Sequence, residues 1–471
     1  MKKKLLFLLL VPALLTGSTA CNKFTKDYDI SPNRPLDTTL PLLMSGTQLA
    51  VINTYTGNLA RVSGIFTQQL AGTDQQYATI ATYLVTESDT DNDFNSIYQA
   101  GLINAQEIIK RGTNENSPYY VGVAKILKAM LLGIATDIFG DVPNRQALLG
   151  VAGLPATAPE LNPSYDKQEI VLQDIQALLS EGIAELRKPA AGLRPSKDDF
   201  IHAGDPTLWI KTAYILKARF ANRLSKRDAA GSATAALAAI DQANLAGNND
   251  DANALFTTNP SNLNQFYAFN QARANYVKMG AKLVDLMKSL NDPRLPLYAT
   301  TANTAGDYFG TPLGTTDTND ISDIGSFYAS PDSPVPMVTY VEAKFIEAEA
   351  ALRANQRPRA QTAYNTALTA HLTKLGISAA DRTSYLAANG TLNTSATTAF
   401  RQIMTQKYIA NFLQIEAWSD YRRTKQPPLV PDPTGVINTV PERLPTPQSE
   451  RINNRNATVV SDLKLPVYWA Q

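Results

Sequence analysis

The chain has 471 residues, with 43 basic and 42 acidic side chains, and its formal net charge of +1 argues against a nucleic-acid-binding surface. Cys21 is the only cysteine, and the two histidines, His202 and His371, lie far apart, so a zinc site would need distant carboxylates as ligands. The sequence contains neither the G-x-S-x-G motif of serine hydrolases nor the G-x-x-x-x-G-K-[ST] loop of nucleotide-binding proteins. We predict no metal and no cofactor.

The N-terminus has the layout of an export signal. Lys2–Lys4 is positively charged, Leu5–Leu15 is apolar, and Thr16–Ala20 supplies small residues before Cys21. The apolar stretch has about 11 residues, fewer than the roughly 20 that a helix needs to cross a bilayer. A cysteine directly after small residues is typical of a lipoprotein signal, although Ser18 stands where most such signals have leucine. The alternative is an ordinary cleaved signal followed by a chance cysteine.

We therefore divide the chain into three parts. Residues 1–20 are the predicted lipoprotein signal peptide, with the lipid anchor on Cys21. Residues 21–35 are polar, have no clear period and are predicted to be a tether. Residues 36–471 are predicted to form one domain, because no low-complexity linker divides them. The most apolar later stretch, Val121–Phe139, contains charged side chains, so we expect the lipid alone to hold the protein at a membrane.

A helical period dominates the domain, and long loops rich in Asn, Thr, Gly, Pro and aromatic residues separate the helices. Loops of this length are usually functional or disordered. Because these loops carry Tyr, Phe and Trp, we expect them to be ordered. The predicted helices are Thr38–Gln69 (with a break near Gly57 or Gly64), Asp93–Arg111, Tyr119–Phe139, Asp166–Arg187, Asp205–Ser225, Ser232–Ala246, Tyr276–Leu290, Tyr340–Ala354, Pro358–Leu375 and Thr397–Arg423.

One predicted helix pair carries a repeat signal. Ala348, Ala360, Tyr364 and Ala367 occupy the small, small, large and small positions of a tetratricopeptide-type pair. Small side chains let two helices approach closely, and the aromatic side chain fills the groove between them. Such pairs stack because one pair cannot bury its own apolar face. The predicted fold class is therefore all-α, with stacked tetratricopeptide-like helix pairs and long irregular loop excursions.

An acidic stretch, Asp89–Asp93, begins like a calcium-binding loop. It has Phe94 where such a loop has glycine at its sixth position, and Ala100 where it has glutamate at its twelfth. Asp and Asn side chains also accept hydrogen bonds from the N–H groups at the start of a helix. We favour helix capping over calcium binding.

A series of short motifs along the chain resembles the motif pattern of a known protein family. Their order behind a lipoprotein signal resembles that of the SusD/RagB family, outer-membrane nutrient-binding lipoproteins, and is most similar to the SusD-like branch. The motifs are Asp137–Pro143, Pro163–Glu169, Gly204-Asp205 with Trp209, Lys217–Arg219, Asn291–Leu295, Tyr340–Glu349, Glu416–Trp418 with Arg422-Arg423, and Pro441–Arg443 with Glu450 and Asn453.

Most of these motifs have a structural interpretation. Asp137 lies where a helix is expected to end before Gly140 and Pro143. Arg422 and Arg423 are expected to pair with carboxylates or loop carbonyls. The family resemblance implies more: a loop-rich ligand face on the helix pairs, and a position as the lid of a TonB-dependent SusC-like transporter. It also implies that the protein lies at the cell outer membrane, facing the cell surface.

The candidate ligand-binding residues lie in the aromatic loops. Sugars stack their C–H faces on aromatic rings and bond their hydroxyls to amide, carboxylate and guanidinium groups. Two loop regions, Gln75–Tyr83 and Asn264–Tyr276, offer this mixture, and the glycine-rich loop with Tyr308 and Phe309 is a third candidate. The alternative is that these rings cover the helical core. These three candidate regions contain no tryptophan, which leaves room for peptides or another nutrient. The predicted ligand-binding residues are Gln76, Tyr77, Tyr83, Asn264, Phe266, Tyr267 and Tyr308.

We expect a binding and uptake protein for a nutrient, most simply a glycan, with no catalytic activity of its own. One alternative is a SusD-like binder of peptides or another nutrient. A second is a tetratricopeptide-type scaffold for envelope proteins. A third is a hydrolase that uses carboxylates of the loop after Gly314, namely Asp317, Asp320 or Asp323.

Overall fold

The computed structural model of the protein describes residues 38–149, 162–302, 304 and 306–471. The predicted signal peptide, the lipid anchor Cys21 and the predicted tether lie outside the described residues. No helix in the described part of the chain is both long enough and apolar enough to cross a membrane.

Helices form most of the described structure and confirm the all-α prediction. They are α1 (Leu40–Thr56), α2 (Asn58–Phe66), α3 (Gln75–Ala81), α4 (Asp91–Asn95), α5 (Ile103–Asn114), α6 (Pro118–Phe139), α7 (Gln168–Leu186), α8 (Pro206–Arg223), α9 (Ala229–Ala243), α10 (Gln265–Ala272), α11 (Ala281–Ser289), α12 (Leu295–Tyr298), α13 (Ser326–Ala329), α14 (Tyr340–Arg353), α15 (Arg357–Lys374), α16 (Ala379–Asn389), α17 (Ala396–Ala410), α18 (Glu416–Thr424) and α19 (Gln448–Asn453). A π-helical segment, Ser96–Leu102, joins α4 to α5.

The strands are short and pair only in twos within the described residues. They are β1 (Leu70–Gly72), β2 (Val142–Pro143), β3 (Tyr165–Asp166), β4 (Ala252–Ala254), β5 (Val277–Met279) and β6 (Val335–Val338). The antiparallel pairs are β1–β5, β2–β3 and β4–β6, so each strand pair ties two distant loops together.

Helices α6 and α7 pack closely against each other. A Cβ atom added at Gly122 would lie 2.9 Å from the carbonyl oxygen of Gly182, and one added at Gly182 would lie 3.0 Å from that of Gly122. The two backbones therefore meet at a glycine from each helix, a distance that larger side chains would prevent. This contact is part of a stack of helices that runs from α1, α5 and α6 through α7, α8 and α9 to α14 and α15.

The repeat signal is confirmed in the α14–α15 pair. Ala348, Ala360, Tyr364 and Ala367 are all buried, and the Tyr364 hydroxyl donates a hydrogen bond of 3.0 Å to the carbonyl oxygen of Asn389. The small side chains allow close helix contact, and the tyrosine fills the remaining space, as the sequence pattern predicts.

Two predicted helices are divided in the structure. The first breaks at Gly57, one of the two positions that the sequence suggests. The last, Thr397–Arg423, is interrupted after α17, where Leu413 adopts a positive φ of 61°. A residue with positive φ lies outside the right-handed helical region, so the chain between Ala410 and Glu416 cannot continue as one helix. Helices α3 and α10 lie where loops were predicted.

Buried ion pairs connect the helices through the family motifs. Arg423 bonds the carboxylates of Glu349 and Asp420, at distances of 2.5 Å and 2.9 Å. The Arg422 guanidinium instead donates to the carbonyl oxygens of Asp137 and Glu442, at 2.5 Å and 3.0 Å. The predicted pairing of these arginines with carboxylates or loop carbonyls is confirmed, and the motifs act as links between helices.

Candidate functional site

Strand pairing brings two of the predicted ligand-binding loops together. In the β1–β5 pair, Leu70 lies opposite Met279 and Gly72 lies opposite Val277. The Thr73 backbone N–H then donates to the carbonyl oxygen of Tyr276, at 3.0 Å. The segment with α3 and the segment with α10 therefore leave the same strand pair side by side.

Tyr77 and Tyr83 are buried under this pair of loops. The Tyr77 hydroxyl accepts a hydrogen bond from Arg61 Nε and donates one to Asn58 Oδ1, each at 2.8 Å. The Tyr83 hydroxyl accepts from the backbone N–H of Asp432, at 2.8 Å, and burial raises the pKa of this phenol. Both rings therefore cover the helical core, which is the alternative to ligand binding that the sequence analysis names.

Asn264 and Phe266 are also buried, and Asn264 has an evident structural task. Its side-chain oxygen caps α10 by accepting from the backbone N–H groups of Phe266 and Tyr267, at 2.9 Å and 3.0 Å. Its amide nitrogen donates to the carbonyl oxygen of Ser333, at 2.7 Å. Asn264 thus fixes where α10 begins, and Phe266 packs into the core below it.

The other three predicted residues are accessible, and they do not line a common cavity among those of the described residues. Gln76 is exposed on α3. Tyr308 is half-buried in the glycine-rich loop, next to Phe309, whose ring lies 4.5 Å from Lys288 Nζ. Tyr267 is half-buried, and it is the one member of the predicted set that lines a cavity beside α10.

We call this cavity the amide pocket. Its volume is about 250 Å³, and it lies between the exposed face of α10, strand β5 and the chain before α13. Tyr267, Asn270 and Gln271 reach it from one helical face, because residues three and four apart lie on the same side of a helix. The side chains that give the pocket its chemistry are Tyr267, Asn270, Gln271, Asn275, Lys278 and Asp323.

The amide pocket offers neutral hydrogen-bonding groups. Within the part of the chain that the structure describes, the side-chain amides of Asn270, Gln271 and Asn275 have no hydrogen-bond partner. Lys278 Nζ and Asp323 Oδ1 form an ion pair of 2.8 Å, so their charges compensate each other. The pocket therefore presents donors and acceptors without a net charge, beside one tyrosine ring.

The sequence indicates the segment around α10, but it does not show which side of this helix lines the amide pocket. Asn270 and Asn275 lie within the predicted loop region, yet they stand out only once α10 is known to be a helix with Tyr267 on its open side. No pattern in the sequence marks Lys278 as a residue of the pocket, because its position there depends on the pairing of β5 with β1. In the sequence, Asp323 stands out only as one of the carboxylates that the hydrolase alternative requires.

The carboxylates of the loop after Gly314 are engaged within the chain. Asp317 Oδ1 accepts from the Asn319 backbone N–H at 2.9 Å, and Asp320 Oδ1 accepts from that of Thr304 at 2.7 Å. Asp323 is held by Lys278. These are turn-forming and ion-pairing arrangements, which need no reacting substrate to explain them.

The calcium-like stretch is likewise satisfied by protein groups. Asp89 Oδ2 accepts from the Thr86 backbone N–H at 2.7 Å, Asp91 Oδ1 from that of Ser449 at 2.8 Å, and Asp93 Oδ2 from Asn58 Nδ2 at 2.8 Å. The three carboxylates thus serve different partners. No group of three or more His, Cys, Asp or Glu side chains in the described residues could hold a metal ion.

The stacked helix pairs define a helical protein of the tetratricopeptide-like class, with an amide-lined pocket of no net charge beside α10. The family follows from comparison: a model of the SusD-like family, described as starch-binding and associating with the outer membrane, matches residues 32–447. This chain belongs to that family, as its motifs predict. The family description places its members at the outer membrane.

Solved structures give the same fold. A chitin-binding protein is 25% identical, with a TM-score of 0.78 over 92% of this chain and 100% of that chain. A chitin-binding SusD homologue from Flavobacterium johnsoniae is 23% identical, with a TM-score of 0.76 over 91% of this chain and 98% of the other. A SusD/RagB family protein from Bacteroides thetaiotaomicron is 22% identical, with a TM-score of 0.76 over 92% and 99%. No curated protein matches the chain.

Proposed function

We propose that the protein binds a glycan at the amide pocket. The observation that carries this proposal is the group of three side-chain amides, Asn270, Gln271 and Asn275, that have no partner within the described residues and stand beside the accessible Tyr267. Sugar hydroxyls both donate and accept hydrogen bonds, so they satisfy both ends of an amide. The starch-binding description of the family and the chitin-binding relatives support the same ligand class.

We also propose that binding is not followed by catalysis. Asp323 is the one carboxylate among the residues that line the amide pocket, and it is paired with Lys278. Glycoside hydrolysis commonly needs two carboxyl groups on either side of the scissile bond. Incubation of the purified protein with starch and chitin oligosaccharides should release no products, and turnover would contradict this part of the proposal.

The glycan proposal predicts a specific loss of affinity. Changing Asn270 and Asn275 together to alanine removes two ligand hydrogen bonds, which contribute about 1–3 kcal/mol in total, so binding should weaken by about 5-fold to 150-fold. Isothermal titration of residues 22–471 with maltooligosaccharides and chitooligosaccharides measures this change. Asn92 and Asn114, changed together to alanine, give a matched control, because both are exposed and neither lines the pocket.

Two outcomes would contradict the glycan assignment. If neither oligosaccharide series binds but a peptide library does, the pocket serves peptides, whose backbone amides suit the same side chains. If no small ligand binds and envelope proteins are recovered instead, the protein is a scaffold. An equal loss of glycan binding in the pocket and control variants would place the glycan site elsewhere.

We further propose that Cys21 carries the lipid and that the anchored protein delivers its ligand to a TonB-dependent SusC-like transporter, as its lid. The signal pattern before Cys21 supports the anchor, and the family membership supports the transporter. Cys21→Ala should move the protein from the membrane to the soluble fraction with its thermal unfolding unchanged. Wild-type protein extracted in mild detergent should co-purify with a large barrel protein. Unfolding of the Cys21→Ala variant, or the absence of a barrel partner, would contradict the respective half of this proposal.

A further inference from the structure

A second and larger cavity lies on another face of α10. Gln265 and Ala268 line it, whereas Tyr267 and Asn270 of the same helix line the amide pocket. Its volume is about 800 Å³, and it runs between α1, the chain around Phe200 and the chain that follows β4. We call it the α1 groove. Its size falls in the range of ligand-binding pockets.

The floor of the α1 groove is apolar and open to solvent. Leu49 of α1 is 56% exposed, Phe200 is 38% exposed, and Leu255 is 53% exposed. Single exposed apolar side chains are common on protein surfaces. Here, however, three large ones from distant parts of the sequence line the same cavity, and binding of an apolar group would remove all three from water.

Both walls of the α1 groove are held in place by hydrogen bonds that lie behind it. Gln48 Oε1 accepts from the Phe200 backbone N–H, and Gln48 Nε2 donates to Asp199 Oδ1, each at 2.7 Å. On the other side, the Thr257 backbone N–H donates to the carbonyl oxygen of Asn262, at 2.9 Å. The groove is therefore formed before a ligand arrives, which reduces the entropy lost on binding.

The polar groups of the α1 groove are all neutral. No charged side chain occurs among the described residues that line it. The side-chain amides of Asn53, Asn262 and Gln265 reach the groove and have no hydrogen-bond partner in the described part of the chain. A charged ligand would lose its hydration there without gaining an opposite charge. Hydroxyl or amide groups of a ligand would find partners.

We propose that the α1 groove binds a neutral amphiphile, a molecule with an alkyl chain and an uncharged head group that bears hydroxyls or amides. The exposed side chains of Leu49 and Leu255 are the reason for proposing an alkyl chain. A sugar alone would stack on flat aromatic rings, and leucine has no such ring. The three amides carry the head-group part. The site is separate from the amide pocket, so the proposal goes beyond glycan binding.

The experiment is titration of the full mature chain with octyl glucoside below its critical micelle concentration. Leu49→Asn combined with Leu255→Asn should weaken binding at least about tenfold, because the ligand chain no longer covers two apolar side chains. The matched control is Leu42→Asn combined with Ile452→Asn, two exposed apolar residues outside the groove, and it should bind as the wild type does. Equal binding by the groove and control variants would overturn the proposal.

Two further probes test the chemical class. Methyl glucoside, which has the head group without the chain, and octanoate, which has a chain with a charged head group, should both bind at least about tenfold more weakly than octyl glucoside. Binding of either probe as tightly as octyl glucoside would overturn the assignment. The groove proposal fails if the Leu49→Asn, Leu255→Asn variant binds octyl glucoside as tightly as its control, whereas the glycan proposal fails if the oligosaccharides do not bind, so the two failures are read from different ligands and can be told apart.

Discussion

Glu349→Gln is expected to lower the free energy of unfolding by about 3–5 kcal/mol. The carboxylate of Glu349 is fully buried and accepts from Arg423 Nη1 at 2.5 Å, from Arg423 Nη2 at 2.8 Å and from Asn222 Nδ2 at 2.9 Å, and it also pairs with Arg353. Burial raises the pKa of Glu349, but the charges of Arg423 and Arg353 outweigh this and leave the pKa well below its usual range. The glutamine keeps the shape and removes the charge, so the arginines stay buried with less compensation.

Urea unfolding followed by tryptophan fluorescence measures this change, since all three tryptophans of the chain, Trp209, Trp418 and Trp469, are buried. The matched control is Glu181→Gln. Glu181 pairs with Lys125 at 2.8 Å, but its side chain is 56% exposed, so the same substitution should cost less than about 1 kcal/mol. Equal costs at the two positions would show that burial of the Glu349 network does not matter to stability.

The helical scaffold could be predicted from the sequence because its signals are local. The pattern of small residues around Tyr364 specifies a close helix pair, and Asp205 followed by Pro206 marks a helix start that the structure shows, with the Asp205 carboxylate capping α8. Such signals involve only residues close together in the chain, so they can be recognised in a single sequence. For the same reason, the sequence limits the break in the first predicted helix to Gly57 or Gly64, and the structure has it at Gly57.

The candidate site could be predicted only in part, because exposure is decided by distant contacts. Tyr77 and Tyr267 both lie in aromatic, amide-rich loops, and nothing local separates them. Tyr77 is buried because Phe269 packs against its ring, at 5.3 Å between centroids, and because Arg61 bonds its hydroxyl. That contact requires the β1–β5 pairing, which joins segments about two hundred residues apart and leaves no trace in either segment alone.

The chemical type of the groups that bond Arg422 and Arg423 could also be predicted, but the sequence does not identify the residues that supply them. Arg423 was expected to meet a carboxylate or a carbonyl, since an arginine near the end of a polar helix is costly to bury alone. That the carboxylate belongs to Glu349, on a helix 74 positions away, depends on how the helix pairs stack. The family motifs that contain these two residues are therefore two halves of one interaction.

Acidification from pH 6.5 to pH 4 is expected to destabilise the protein through its two histidines. Burial lowers the pKa of His202 to about 4, and the nearby charges of Asp199, Asp205 and Asp250 offset this only in part. Burial also lowers the pKa of His371, and the positive charges of Arg294 and Lys374 lower it further. Both histidines stay mostly neutral in the folded protein above about pH 4, while the unfolded chain takes up protons below about pH 6.5.

Because the unfolded state then binds more protons, the free energy of unfolding falls as the pH falls. For His202 alone the loss between pH 6.5 and pH 4 amounts to about 3 kcal/mol. His202→Gln removes this titration, although it also loses the 2.8 Å hydrogen bond between His202 Nε2 and Thr212 Oγ1 and so lowers stability at neutral pH. Urea unfolding at several pH values should therefore give a shallower slope for the variant than for the wild type between pH 6.5 and pH 4. Parallel slopes would mean that His202 is protonated in the folded state as readily as in the unfolded chain, and that its burial does not control its charge.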